Sequence, residues 1–370
     1  MAANDIPNLK TLLASRRGGP SRGRGRGRGG PGAPSEATEV VRDNAVRNTD
    51  QDAAGSRVSC VESGYLDDPY AALFATQPST RRLPLLNRGT YVRTSAIDLL
   101  VDRFLTTSPS TPKQIVSLGA GTDTRFFRLK DKYPSTNLVY HEIDFHPNTT
   151  DKLSSIRRHP QLYTKLSPAI PIRENAPSYH SPTFNIHPMD LRHLASRSSD
   201  IPPPLPNLNP STPTLLLSEM CLVYLPSRDV SAIIATFLSD YLRPSTPASL
   251  VLYEPILPHD AFGRTMISNL STRNIFLPTL TAYPELGDQR ARLRGYGFVG
   301  GARAADTEVV WREWVSGAEK ERVAGLEMLD EMEELELLLR HYCVAWGWRD
   351  GEVDGGDVFG RAWADIKEQK

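Results

Sequence analysis

The sequence predicts an α/β protein with a doubly wound, mostly parallel sheet, and three observations support that class. Apolar, strand-like runs alternate with segments of helical spacing between residues 114 and 254. A Gly-x-Gly turn at Gly119–Gly121 directly follows the first apolar run. A second apolar run, 138–144, ends in the carboxylate of Asp144. In such folds ligands bind beyond the carboxyl ends of the strands, so we expect the site there.

The elements follow one another with the spacing that this class requires. Segments 70–77 and 91–105 have helical apolar spacing and precede the first strand, so they are free to form a cap over the strand ends. We then predict strand 114–118, a helix from about 122, strand 138–144, helix 148–158, strands 184–188 and 214–219, helix 227–242 and strand 248–254. An amphipathic segment at 262–270, a long helix near 319–340 and a last strand at 341–348 complete the chain.

Composition divides the chain into four parts. Residues 1–53 are expected to be a disordered tail, because the arginine–glycine part has no large apolar residue to bury and polar residues follow it. We expect a helical cap and lid at 54–110, a cofactor-binding core with insertions at 111–350, and a short tail at 351–370. A proline-rich stretch near residue 203 reads as a surface insertion in the core.

The arginine–glycine tail allows two interpretations. Segments of this kind bind RNA phosphates and stack on bases. Without interleaved aromatic residues, a solvated extension that has no specific partner is favoured. Lysine plus arginine and aspartate plus glutamate number 43 each, so the whole molecule has no net field that would select a polyanion.

Cysteine usage and hydropathy indicate a cytoplasmic protein. The three cysteines, Cys60, Cys221 and Cys343, are odd in number and lack disulfide or zinc spacing. No apolar run approaches the ~18 residues that a membrane span needs. The N-terminus has no apolar signal core. We therefore expect no membrane partner. We also expect the protein to be a monomer.

The glycine turn favours one class of nucleoside cofactor. A dinucleotide fingerprint requires a third glycine where this chain has Thr124, and the Asp123 carboxylate would repel a pyrophosphate at the turn. NAD, FAD and ATP are disfavoured on that ground. S-adenosyl-L-methionine carries no phosphate and has a sulfonium and an ammonium group, so an acidic glycine turn suits it better.

Carboxylates end three consecutive predicted strands and would line one crevice. Asp144 ends the second strand and is placed to bind the ribose hydroxyls. Asp190 follows the third and is assigned the adenine amino group, with Leu191 packed on the ring. Glu219 ends the fourth and would lie near the ammonium or sulfonium group. Any one such acid could equally be a turn or capping residue.

The cofactor carboxylate needs a cation, and Arg57 and Arg93 are candidates because both precede the first strand. Each arginine alone could equally be a surface residue. His141 and His146 lie on or beside one strand and face opposite ways, so we expect no shared metal ion.

A set of motifs resembles the leucine carboxyl methyltransferase family in order and spacing. The matching segments are NRGTYVR at 87–93, LGAGTDT at 118–124, EIDF at 142–145, MDLR at 189–192, SEMCLVY at 218–224, YEP at 253–255, FGRTMISNL at 262–270, LDEMEE at 329–334 and RHYC at 340–343. The resemblance covers roughly residues 57–348 and leaves the arginine–glycine tail outside. It implies a Rossmann-like class I methyltransferase fold with seven strands.

The resemblance also implies an activity. Members of this family methylate the terminal leucine carboxylate of the type 2A protein phosphatase catalytic subunit, and they form a methyl ester and S-adenosylhomocysteine. By this resemblance, the residues that contact S-adenosyl-L-methionine are Arg57, Arg93, Gly119, Asp144, Asp190, Leu191 and Glu219. Position 57 holds arginine where many relatives are expected to hold lysine, which keeps the charge.

The chemistry implied by the resemblance needs no general base. A terminal carboxylate has a pKa near 3.3–3.7 and is already an anion at neutral pH, so no catalytic histidine is expected. We assign catalytic positions to Arg93 and to Tyr224, which would position the leucine carboxylate. A packing role for Tyr224 is equally compatible with the sequence.

Two other functions remain open. A related methyltransferase modifies a carboxyl group on a tRNA base, but it carries a long repeat β domain after the core. This chain continues for only about twenty residues past its predicted last strand, which leaves no room for such a domain. The other alternative is a non-catalytic S-adenosyl-L-methionine-binding interaction protein, which would bind the cofactor without turnover.

Overall fold

The computed structural model describes residues 36–76, 80–166, 168–196, 201–330, 332–351 and 357–370. One sheet contains the eight strands β1 (Lys113–Leu118), β2 (Leu138–Asp144), β3 (Tyr179–His180), β4 (Phe184–Pro188), β5 (Thr214–Glu219), β6 (Ala248–Pro255), β7 (Gly301–Asp306) and β8 (Tyr342–Arg349). The strand order is β3-β4-β2-β1-β5-β6-β8-β7. The five strands β4, β2, β1, β5 and β6 pair in parallel, and β3, β8 and β7 pair antiparallel. The predicted α/β class with a mostly parallel sheet is confirmed.

The sheet has eight strands where seven were expected, since the two-residue β3 adds to one edge. The segment that forms β7 was not predicted as a strand. Glycine and alanine dominate it, and these residues have low strand propensity. Its pairing with β8 decides its conformation, and a Cβ on Gly301 would lie 2.1 Å from the Trp348 ring.

Alternate residues of the central strands face two hydrophobic clusters, one on each side of the sheet. Ile115 and Leu215 belong to the first cluster, whereas Val116 and Leu216 belong to the second. This is the period of two that a strand imposes. Every residue of β1 is buried, as expected for a parallel strand covered on both faces.

Helices cover both faces of the sheet. The longest, which we call the N-terminal helix, spans Glu36–Glu62. The other helices are Ala71–Phe74, Pro84–Thr106, Arg125–Lys132, His146–Arg158, Pro160–Tyr163, Arg192–Ala195, Ser227–Thr236, Ala261–Ser271, Pro278–Ala282, Leu286–Gly295, Thr307–Val309, Gly317–Ala324, Met332–Arg340 and Val358–Ala362. Shorter turns of 3-10 or π geometry lie at Leu222–Tyr224, Phe237–Tyr241 and Val310–Trp314. Within the described residues, none of the helices combines the length and apolar character needed to cross a membrane.

The expected disorder of residues 1–53 is wrong for residues 36–53, which form most of the N-terminal helix. The helix is polar and has no strong apolar stripe, so periodicity did not reveal it. Contacts with the core stabilise it instead: Ala54 and Val58 are buried. The arginine–glycine part of the tail lies outside the described residues.

The predicted long helix at 319–340 is also wrong. The chain forms two helices, Gly317–Ala324 and Met332–Arg340, separated by a loop. Glu327 in that loop is 8% exposed and accepts hydrogen bonds from Arg81 Nε at 3.0 Å and from Asn87 Nδ2 at 2.8 Å. Gly325, which caps the end of the first helix, is a local signal for the break, and the contacts of Glu327 with the segment before the first strand hold the loop that follows.

The expected C-terminal tail at 351–370 is part of the folded core from residue 357 onwards. Phe359 stacks on Phe104 with ring centroids 4.7 Å apart. The Trp363 side chain is fully buried, and its Nε1 donates a hydrogen bond to Leu100 O at 3.0 Å. The tail therefore packs on helix Pro84–Thr106, which in turn packs on the sheet.

Candidate functional site

A cavity of about 370 Å³ lies where the carboxyl ends of β1, β2 and β5 meet. In a parallel sheet, the point at which chain connections leave toward opposite sides opens such a crevice, and here it falls between β1 and β5. The strand ends form the floor of the cavity, and the N-terminal helix closes over it as a roof. The cavity wall contains the predicted residues Arg57, Arg93, Gly119, Asp144, Glu219 and Tyr224.

The glycine turn after β1 requires glycine at both positions. Gly119 has φ +67° and Gly121 has φ +45°, in the left-handed region that side chains rarely adopt. A Cβ on Gly119 would lie 2.4 Å from Cys221 Sγ, and one on Gly121 would lie 2.2 Å from Asp50 Oδ1. The turn therefore keeps the backbone close to the cavity, where a ligand can approach it.

Asp144 ends β2 at the edge of this turn. Its Oδ2 accepts a hydrogen bond from Gly121 N at 2.7 Å, and its Oδ1 accepts from Phe145 N at 2.7 Å and Asn148 Nδ2 at 2.9 Å. Burial raises the pKa of Asp144 to about 6, although the two backbone donors favour the ionised form. The carboxylate is thus held rigidly beside the turn.

Glu219 ends β5 on the other side of β1 and binds two arginines. Arg93 Nε lies 2.6 Å from Oε1, and the buried Arg125 lies 3.2 Å from Oε2. Burial alone would raise the pKa of Glu219, but the two guanidinium groups lower it to about 2. Arg93 also lies over the Tyr253 ring, 5.0 Å from its centroid. Glu219 is therefore ionised on the cavity wall.

Arg125 organises this wall, and the sequence analysis did not identify it. Its side chain is 1% exposed and pairs with Asp98 at 3.0 Å, with Asp123 at 2.5 Å and with Glu219. Because Arg125 compensates the charge of Asp123, this carboxylate would repel a phosphate less than expected from the sequence. The sequence signal for Arg125 is its position at the start of the helix that follows the glycine turn.

Arg57 and Tyr224 also reach the cavity. Arg57 pairs with Asp68 at 3.1 Å, so its charge is compensated within the protein. Burial raises the pKa of Tyr224, while a hydrogen bond with the Thr49 hydroxyl lowers it. Tyr224 is therefore a neutral phenol that is able to donate a hydrogen bond.

Asp190 and Leu191 are not part of the cavity wall. Arg192 Nε binds both Asp190 oxygens, at 3.0 and 2.9 Å. Leu191 is 7% exposed and belongs to the second hydrophobic cluster. Burial raises the pKa of the thiol of the cavity residue Cys221, and the carboxylates of Asp144, Glu254 and Asp190 raise it further, Asp190 the least. The adenine contacts of Asp190 and Leu191 stay a prediction.

The N-terminal helix supplies wall residues that the sequence analysis missed. Asp50 Oδ1 accepts hydrogen bonds from Thr122 N at 2.7 Å and Thr122 Oγ1 at 2.8 Å. Burial raises the pKa of Asp50. Arg47 lies one helical turn earlier and also lines the cavity. The spacing of polar residues 43, 47 and 50 on one helical face is the signal that could have revealed them.

Further side-chain contacts hold the N-terminal helix across the crevice. Arg192 binds Asp43 at 2.6 Å, and Arg273 forms an ion pair with Asp52. Gln51 Oε1 accepts a hydrogen bond from Thr76 Oγ1 at 2.7 Å. The N-terminal helix therefore closes the cavity together with helix Pro84–Thr106, whose residues Thr90 and Thr94 also line it. The lid role expected for residues 54–110 stays a prediction.

Neither His141 nor His146 is among the residues that line the cavity. His141 Nδ1 is 3.0 Å from His187 Nε2, and burial lowers the pKa of both to about 3. His146 begins helix His146–Arg158. No group of three or more histidine, cysteine, aspartate or glutamate side chains in the described part of the chain is arranged to hold a metal ion.

Comparison with known proteins identifies the family. The profile described as leucine carboxyl methyltransferase matches residues 45–238. The chain is 50% identical to leucine carboxyl methyltransferase 1 of Aspergillus fumigatus, over all of this chain and 99% of that protein. Identity is 49% to the protein of the same name from Emericella nidulans, over 98% of this chain and 99% of that one. It is 36% to the homologue from Arabidopsis thaliana, over 85% of this chain and 92% of that one.

Solved structures are more distant. A Haemonchus contortus phosphoethanolamine N-methyltransferase 2 in complex with S-adenosyl-L-methionine aligns with a TM-score of 0.39 and 12% identity, over 68% of this chain and 51% of that chain. That similarity is too low to bear on function. The relatives instead confirm the family expected from the motifs and, with it, S-adenosyl-L-methionine as the cofactor. The chain belongs to the leucine carboxyl methyltransferase family, whose members methylate protein carboxyl groups with S-adenosyl-L-methionine.

Proposed function

We propose that the protein methylates the α-carboxylate of the C-terminal leucine of the type 2A protein phosphatase catalytic subunit, forming a methyl ester and S-adenosylhomocysteine. The observation that carries this proposal is the charge pattern of the cavity beside the glycine turn. Its described wall contains five carboxylates and four arginines. The enzyme is expected to act as a cytoplasmic monomer.

The wall carries charges of both signs, as a cofactor with two cationic groups and one carboxylate requires. Asp144, fixed beside Gly121, would accept hydrogen bonds from the ribose hydroxyls. The ionised Glu219 would bind the ammonium group, and Arg93 together with Arg57 would face the methionine carboxylate. When bound, S-adenosyl-L-methionine supplies an electrophilic methyl group and a neutral thioether leaving group.

The remaining task of the protein is to place the accepting carboxylate. Because that carboxylate is ionised at neutral pH, no side chain has to remove a proton. Orientation of reactants is worth up to ~7–11 kcal/mol of the barrier. Tyr224 is the candidate for this placement, since burial keeps it a neutral donor on the cavity wall. Closure by the N-terminal helix would exclude water from the carboxylate.

The test is transfer of a labelled methyl group from S-adenosyl-L-methionine to the intact phosphatase catalytic subunit. A matched sample lacks the terminal leucine, and base treatment of the product should release methanol. We expect label that depends on the leucine and is labile to base. In the Arg93→Ala variant, transfer should be lost while the protein stays folded.

Other outcomes separate the alternatives. Label that does not require the leucine would overturn the proposed substrate. Cofactor binding without transfer to the phosphatase or to tRNA would support a non-catalytic interaction protein. Transfer of the label to tRNA instead of the phosphatase would support an RNA substrate. Near-normal turnover by Arg93→Ala would remove that arginine from the site.

A further inference from the structure

We propose that Arg47 of the N-terminal helix binds the carboxylate that accepts the methyl group. This inference rests on the proposed function and names the residue that recognises its substrate. A carboxylate taken out of water into a cavity needs a compensating cation. The best candidate is an arginine of the cavity wall that is not already paired with a carboxylate of the protein.

Of the four arginines in the described part of the cavity wall, three already pair with carboxylates of the protein. Arg93 pairs with Glu219, Arg57 pairs with Asp68, and Arg273 pairs with Asp52. In each pair, a substrate carboxylate would compete with a partner that is already in place. Arg93, for which the sequence left open a contact with the cofactor carboxylate, the substrate carboxylate or both, is therefore a weaker candidate for the substrate.

Arg47 differs from the other three. Across the residues that the structure describes, its hydrogen-bond partner is the neutral Asn44 Oδ1, 3.1 Å from Nη1, and it forms no ion pair. Its Nε is buried and has no hydrogen-bond partner within those residues. A buried donor without an acceptor is unfavourable, and a bound carboxylate would satisfy it.

The position of Arg47 on the N-terminal helix supports this role. Asp43 and Asp50, one turn on either side, bind Arg192 and Thr122 of the core. The helical face that carries Arg47 is thus fixed toward the cavity. Thr49 on the same helix contacts Tyr224, so Arg47 and Tyr224 belong to one closed arrangement.

The guanidinium group is the right shape for this ligand. Its planar N–H donors match the two oxygens of a carboxylate, which lysine does not reproduce. A C-terminal carboxamide would lack the charge and would present its own N–H donors. Arg47 should therefore allow the enzyme to distinguish a free C-terminus from an amidated one.

The experiment compares Arg47→Met and Arg47→Lys with Arg42→Met. Arg42 lies on the same helix but over the Phe276 ring, outside the cavity wall. For each protein we would measure the Kd for S-adenosylhomocysteine by calorimetry, and kcat and KM for the phosphatase catalytic subunit. Phosphatase-tail peptides ending in leucine carboxylate or in leucine carboxamide would be compared as inhibitors.

In Arg47→Met we expect the KM for the phosphatase to rise at least tenfold, the Kd for S-adenosylhomocysteine to change less than twofold, and the preference for the carboxylate peptide to disappear. Arg47→Lys should keep part of that preference, and Arg42→Met should keep all of it. Should Arg47→Met fail to fold, Arg47→Lys replaces it as the test variant. Its unfolding midpoint shows whether it is folded, and its preference for the carboxylate peptide then shows whether Arg47 binds the carboxylate.

Two results would overturn the assignment. An Arg47→Met variant that keeps the carboxylate preference has another residue in this role. A tenfold weaker Kd for S-adenosylhomocysteine with an unchanged KM would assign Arg47 to the cofactor carboxylate. If the wild-type protein transfers no methyl group to a C-terminal leucine, the proposed function fails, and this inference fails with it.

Discussion

The floor and the roof of the cavity are built in different ways. The floor consists of the ends of β1, β2 and β5, which backbone pairing places in register: Leu118 pairs with Ile143 on one side and with Ser218 on the other. The roof is the N-terminal helix, which side-chain contacts such as Asp52–Arg273 hold over the crevice. Changes in the floor should therefore affect stability and cofactor binding. Changes in the roof should affect mainly the substrate, except at Arg57, which is proposed to face the cofactor carboxylate.

The largest change in stability is expected for Arg125→Met, a substitution in the floor. The substitution removes a buried partner of Asp98, Asp123 and Glu219. Breaking such a buried network by removing one side costs about 3–5 kcal/mol. We expect the free energy of unfolding in urea to fall by that amount. An unfolding curve equal to that of the wild type would show that the floor does not depend on this network.

A second floor variant, Asp144→Ala, should weaken cofactor binding. Hydrogen bonds to a charged group contribute about 1.5–3 kcal/mol each, so losing even one ribose contact weakens the Kd by roughly 10- to 100-fold. Calorimetric titration with S-adenosylhomocysteine measures this. Asp190→Ala is the matched variant, because Asp190 lies off the cavity wall. A loss of cofactor affinity in Asp190→Ala comparable to that in Asp144→Ala would support the predicted contact of Asp190 with adenine.

The pH dependence of cofactor binding is a further test of the role of the floor, through Asp144. Burial raises the pKa of Asp144 to about 6, so the free protein holds a proton there below that pH. Its ionisation lowers the stability of the free protein as the pH rises from about 4 through 6. Ribose hydroxyls would bind the ionised form, so affinity should be constant above about pH 7. It should then fall by up to about tenfold per pH unit below pH 6.

Calorimetry in buffers of different ionisation enthalpy would detect the proton released on binding. Asp144→Asn should remove this dependence. Burial also raises the pKa of Glu142, to about 7, although Lys152 at 2.6 Å opposes this shift. Because Glu142 lies off the cavity wall, Glu142→Gln should keep the pH dependence. A dependence that survives in Asp144→Asn would assign the titration to another group.

The smallest effect on stability is expected in the roof, for Asp52→Asn. The ion pair between Asp52 and Arg273 is exposed, and such pairs contribute about 0–1 kcal/mol. The unfolding midpoint should barely move, while the freed Arg273 at the cavity mouth should alter the KM for the phosphatase. A loss above about 2 kcal/mol would show that the roof is as integral to the fold as the floor.

The elements that the sequence predicted well are those with a strong local signal. Strands 138–144, 184–188 and 214–219 were predicted with the bounds found in the structure, because buried parallel strands are short, continuous apolar runs. β7 and the N-terminal helix were missed because their residues are mostly small or polar. Both elements depend on contacts with parts of the chain distant in sequence: β7 pairs with β8, and Ala54 and Val58 of the helix are buried.

The same distinction applies to the site. Gly119, Asp144 and Glu219 were identified because each follows a recognisable strand, and the register of a parallel sheet brings strand ends together. Asp190 also follows a strand, yet Arg192 binds it away from the cavity wall. A strand-end position therefore does not by itself place a carboxylate on the cavity wall.

The sequence by itself determined the α/β class, the glycine turn, the acidic strand ends and the family, since all of these depend on local pattern and spacing. Only the tertiary structure decided which charges are compensated and which are free. Arg93 and Arg47 look alike in the sequence, but Glu219 pairs with the first and no described carboxylate pairs with the second. The physical reason is that charge compensation depends on distances between residues far apart in the chain, which side-chain packing alone sets.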